Sequence, residues 1–142
     1  MGFFASSGIL NRRGFFSAPV SAAPPSPSGI PYSTSQVILS GFNETNLGID
    51  HTNNPITLTK RTASGIPNEW ANIDNLAYNV FLARLNPNNP NGTWRIFFQQ
   101  FGEEGFGSVT IATNPSTSTT EIPTTGWVLE SGVTGAITIT AA

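Results

Sequence analysis

Tyr78-Asn-Val-Phe-Leu-Ala-Arg-Leu-Asn-Pro-Asn-Asn-Pro-Asn-Gly-Thr-Trp-Arg-Ile-Phe-Phe98 is the stretch that decides the fold. Tyr78–Leu85 is a long, nearly continuous apolar run, rich in aromatic and branched side chains, and reads as the longer and more buried of the strand candidates. Thr93–Phe98 opens with alternating polar and apolar residues, the period of a strand with one face in a core. Between them, Asn86-Pro-Asn-Asn-Pro-Asn-Gly92 holds only turn formers, and proline there can neither continue a helix nor donate to a ladder. Two strands joined by such a turn form an antiparallel hairpin.

Outward from this hairpin the text keeps the same grammar. Gln36–Leu39, Ile56–Thr59, Ser108–Ala112, Gly126–Leu129 and Ala136–Ile139 are short β-branched or aromatic runs separated by Gly, Asn, Pro and Ser. Together with the hairpin they make seven strand candidates and a mainly β class: a small antiparallel sandwich or a barrel. Residues 67–77 are ambiguous. Trp70, Ile73, Leu76 and Ala77 fall at helical spacing behind Pro67 and Glu69, but three Asn lower helix propensity. A short helix or a loop are the two readings.

Upstream of residue 33 the composition changes. Residues 1–32 read as an extended N-terminal arm, and residues 33–142 as the β domain. Pro19, Pro24, Pro25, Pro27 and Pro31 fix φ and hold their predecessors extended, so the second half of the arm is a polyproline-like strap. The first half places its apolar residues in doublets, Phe3-Phe4, Ile9-Leu10 and Phe15-Phe16, about six residues apart. That spacing matches neither a helix nor a strand, and the segment cannot bury four Phe on itself. It predicts insertion into grooves of other chains, with Arg12 and Arg13 available to partner carboxylates.

Composition narrows the function. Charged residues are 10% of the chain, and the net charge is −2. A surface covered by Ser, Thr, Asn and Gly is poorly defended against association, which suits a protein that lives in an assembly. The few cations form no cluster beyond Arg12-Arg13 and Lys60-Arg61, so a nucleic-acid groove is not expected. No apolar run approaches a bilayer span. With no cysteine, disulfides and thiolate metal sites are excluded.

Catalytic constellations are missing from the sequence. His51 is the only histidine and lies in the polar turn Ile49–Pro55, beside Asp50 but with no nucleophile elbow anywhere. Glu103 and Glu104 sit in Gly102-Glu-Glu-Gly105, which reads as a hairpin tip rather than a facing pair of acids. No zinc, EF-hand or phosphate-loop spacing exists, so no cofactor or metal is expected. Trp70, Trp94 and Trp127 are either core residues or a ligand platform for glycan stacking. Met1–Ser6 fits the permissive myristoylation pattern, and Asn11–Phe16 has the look of a twin-arginine signal but lacks the apolar segment that should follow. Both are read as coincidental.

The arm motif Gly-Ile-Leu-Asn-Arg-Arg-Gly-Phe-Phe (8–16), the strap and the Thr/Asn/Gly-rich β domain resemble small virion proteins of tailed bacteriophages, in particular capsid decoration (cement) proteins. Gly41-Phe42, Thr93-Trp94-Arg95-Ile96 and Gly126-Trp127-Val128-Leu129 are similar to short modules of phage tail and cyanobacterial proteins. The resemblance implies a non-enzymatic structural subunit of the virion, assembled in the host cytoplasm, with the major capsid protein or other virion subunits as partners. It also implies many copies per particle and no cofactor; a homo-oligomer is expected, for which a trimer is one arrangement, and neither nucleic acid nor membrane is an expected partner. The partner interface would then be Phe3, Phe4, Ile9, Leu10, Arg12, Arg13, Phe15 and Phe16. The alternative is a receptor- or carbohydrate-binding module of a phage tail, fibre or cell surface.

Overall fold

A computed structural model describes residues 29–61, 69–73, 78–85, 92–102 and 105–142. Among them are eleven strands and no helix. The strands are β1 (Ile30–Pro31), β2 (Gln36–Glu44), β3 (Ile49–Asp50), β4 (Ile56–Arg61), β5 (Glu69–Asn72), β6 (Tyr78–Arg84), β7 (Trp94–Gly102), β8 (Gly105–Asn114), β9 (Glu121–Ile122), β10 (Val128–Leu129) and β11 (Val133–Ala141). Every pairing is antiparallel. The main sheet runs β10-β8-β7-β6-β5-β4-β2-β11, with β3 on β2, and β1 pairs β9 separately. The sandwich-or-barrel expectation resolves as one curled sheet, a half-barrel.

The hairpins read from the sequence are present. Arg84 pairs with Trp94 across β6 and β7, and Leu85 N–H donates to Thr93 O at 2.7 Å just inside the loop. Gly102 pairs with Gly105, so β7 and β8 are joined by a two-residue connection. The end strands of the sheet path, β10 and β11, are consecutive in the chain. The turn at 130–132 joins them, with Val133 N–H donating to Glu130 O at 3.1 Å. Thr45 N–H bonds Gly132 O at 3.1 Å and clamps that turn to the start of the β2–β3 connection.

Alternation sorts the side chains. Val37, Leu39, Leu58, Trp70, Val80, Leu82, Trp94, Ile96, Phe98 and Ile111 line the concave face and are all buried. Each such side chain contributes roughly 1.5–3 kcal/mol of transfer free energy. β6 is buried on both faces. Val80, Leu82 and Arg84 point inward, while Asn79, Phe81 and Ala83 lie on the convex side. In β2 the buried phase shifts after Leu39 to Phe42 and Glu44, across Gly41 at φ +91°. The facing strand breaks register between Gly135 and Thr138. The two irregularities answer one another and let a single strand curl around the core.

One expectation is corrected. Residues 69–72 of the ambiguous segment are strand β5, not helix. Trp70 is anchored by its register opposite Lys60 and Leu82. Ile73, which the helical reading would bury with it, is 55% exposed. Ladder pairing on both sides overrides a helical spacing only two turns long.

Candidate functional site: the arm root at the mouth of the half-barrel

All eight arm residues expected at a partner interface (Phe3, Phe4, Ile9, Leu10, Arg12, Arg13, Phe15 and Phe16) lie outside the described residues. What is described is the root from which the arm leaves. Residues 29–32, read from sequence as the end of the arm, belong to the body. Ile30 pairs with Ile122 and Pro31 with Glu121, and both isoleucines are in the core. Gly29 N–H donates to Glu121 Oε2 at 3.1 Å. A Cβ at Gly29 would lie 2.3 Å from the Ile122 carbonyl oxygen, so only glycine fits.

Tyr32 completes the anchor. Its N–H donates to Thr120 O at 3.0 Å and its hydroxyl to Ser118 O at 2.7 Å. Its ring packs on Trp70 and Trp94 with centroids 5.9 and 5.5 Å away. Burial pushes the phenol up to about 12, against the opposing pull of the Arg84 charge. Lys60 Nζ donates to Tyr32 O and sits over the Trp70 ring at 5.3 Å. Trp70 Nε1 donates to Thr34 O at 2.9 Å. The root is thus tied into the concave core by a strand pair, an aromatic cluster and a cation. A groove of about 260 Å³ opens beside it, between Gly29, Asn114, Ser116, Ser118 and Thr125.

The tryptophans do not make a surface platform. Trp70 and Trp94 are 0% exposed and lie 6.2 Å apart in the core. Trp127 alone reaches the surface, half-buried, with Nε1 donating to Pro123 O at 3.0 Å. Of the two readings of these residues, core is the one that describes Trp70 and Trp94.

The titratable groups are engaged in structure. His51 is buried in its turn, Nδ1 2.7 Å from the Asn54 carbonyl oxygen, with its ring against Phe42. Its main chain bridges Gly41 and Phe42 of β2. Glu44 is buried and accepts from the N–H groups of Asn46 and Leu47. Asp50 accepts from Thr52 N–H at 2.9 Å, which lowers its pKa. Glu69 pairs with Arg61 at 3.2 Å. Its carboxyl is raised by burial, and the Arg61 charge offsets only part of that. Among the described residues no three His, Asp or Glu side chains gather into a metal-binding group. Asp74, Glu103 and Glu104 lie outside them.

A second groove, about 280 Å³, lies on the convex face of β4 and β5, floored by Thr57, Thr59 and Ala71 and walled by Arg61 and Ile73. Its shape was not legible from the sequence, because it depends on which threonines share a face with Ala71. The root was not foreseen either, since β1 and β9 are two residues each and carry no period.

The chain matches no known family model, no curated protein and no solved structure.

Proposed function

We propose that this protein is a non-enzymatic structural subunit of a virus particle, of the capsid decoration kind, held to neighbouring subunits by residues 1–28. What supports this reading is a body core filled by side chains from residues 30–139, set beside the apolar doublets that the sequence places in residues 1–28. The concave core of the body is closed by Ile30, Tyr32, Ile122 and its own tryptophans. The arm still brings Phe3, Phe4, Ile9, Leu10, Phe15 and Phe16, whose burial on a partner is worth on the order of 10 kcal/mol before ordering costs.

Charge supports the same division. Residues 1–28 hold Arg12 and Arg13 and no carboxylate, which leaves −4 on the rest of a chain whose net charge is −2. The arm is therefore attracted to acidic surfaces such as the body of this protein. A root tied down by Gly29, Tyr32 and Lys60 passes a pull on the arm into the whole sheet, as an anchor must. The glycan-binding alternative loses its main support with Trp70 and Trp94 in the core.

The test is full-length protein carrying Phe15→Ser and Phe16→Ser, mixed with particles depleted of the subunit. Loss of particle binding with an unchanged melting temperature is expected. Binding that survives these substitutions, together with glycan binding by the same chain, would replace this reading by the alternative.

A further inference from the structure

We infer that the outer edge of β11 pairs with the same edge of a second copy of this chain, antiparallel, about Thr140.

The register fixes which groups are free. Ala142 N–H donates to Gln36 O at 3.2 Å, directly opposite in the β2–β11 ladder. Residues 142, 140 and 138 therefore turn their backbone groups toward β2, and Ile139 and Ala141 turn theirs away from it. Among the described residues no backbone partner meets the outward groups of Ile139 and Ala141.

Edges of this kind are normally blunted by charge, proline, a bulge or shortness. β10, at the other end of the sheet path, is two residues long and runs into Glu130. β11 has nine residues, and from Ser131 to Ala142 there is neither a charged residue nor a proline. Its one irregularity, between Gly135 and Thr138, leaves 138–142 in regular register. Thr138, Thr140 and Ala141 are exposed.

A two-fold axis brings the same short segment of both copies together, so a charged side chain close to the axis meets its like. This edge carries none, which makes it self-compatible. With the axis at Thr140, Ile139 and Ala141 of one copy exchange their backbone bonds with Ala141 and Ile139 of the other. The two Thr140 side chains then face each other at a non-hydrogen-bonded site, a favourable cross-strand pair. The product is one sheet continuous through both half-barrels.

The chain has no cysteine, so the full-length Thr140→Cys variant is a direct test. A non-hydrogen-bonded antiparallel pair is within disulfide range. Under mild oxidation it should crosslink to twice 15.1 kDa, well ahead of a Thr57→Cys control on β4. Ala141→Pro removes only an outward N–H and spares the β2 ladder, so it should weaken dimerisation measured by sedimentation at least about tenfold. A wild-type monomer at about 100 μM, or Thr140→Cys crosslinking no faster than the control, overturns the inference. The crosslink decides the matter where the proline variant fails to fold.

Discussion

The ring of Phe81 lies flat on the ring of Phe97, centroids 4.9 Å apart and planes 10° from parallel. The two are register partners on β6 and β7, and they stack on the convex side, away from the main core. Arg95 lies over Phe97 at 4.3 Å. The half-barrel therefore carries a second, smaller apolar cluster on its outer surface.

Phe81 is the buried member of that pair. Phe81→Ala should cost about 3 kcal/mol in urea unfolding, and a double cycle with Phe97→Ala should return a coupling of about 1 kcal/mol. Additive effects would mean that the rings are merely neighbours.

Two indoles with equal burial differ in their hydrogen bonds. Trp70 Nε1 donates to Thr34 O, whereas Trp94 Nε1 has no partner among the described residues. Trp70→Phe should therefore destabilise more than Trp94→Phe, by about 1 kcal/mol, because the latter removes a polar group that was already unsatisfied. Thermal denaturation of the two variants side by side is sufficient.

Glycines at the closing seam are not equivalent. Gly41 has φ +91°, and a Cβ there would meet Ala136 O at 2.1 Å. Gly48 has φ +68° and open space. Gly41→Ala should cost about 3 kcal/mol or more and Gly48→Ala about 1 kcal/mol, read by chemical denaturation.

Glu69 sets a pH dependence. Its folded carboxyl is raised by burial, so the native state holds that proton more tightly than the unfolded chain does. The stabilisation this provides is present at acid pH and is lost as pH rises through the carboxylate range. Glu69→Gln, which cannot ionise, should look better relative to wild type at pH 7 than at pH 4 in paired urea titrations. An equal difference at both values would mean that Arg61 fully compensates the buried charge.

The long strands were legible because they are β-branched and aromatic runs, alternating or continuous, whose ends are marked by Asn, Pro and Gly. Tyr78–Arg84 and Trp94–Phe98 were readable on those grounds alone. β5 was not, because Trp70 and Ile73 mimic a helical face and only the ladders on either side show which of them is inside. β1, β3 and β9 were invisible, since two residues carry no pattern and their pairing is decided by residues far along the chain. The tryptophans could be called core or surface from sequence, and tertiary position settled Trp70 and Trp94 as core.

Pairing of β2 with β11 joins residues 37 and 141, nearly the whole length of the body. Such a closure is late and slow by nature, because its loop entropy must be met before its contacts form. On the ribosome, Val37, Leu39 and Phe42 would wait beside an empty lane until the last strand emerged. Truncation by a dozen residues at that end should then yield not a smaller domain but an insoluble one.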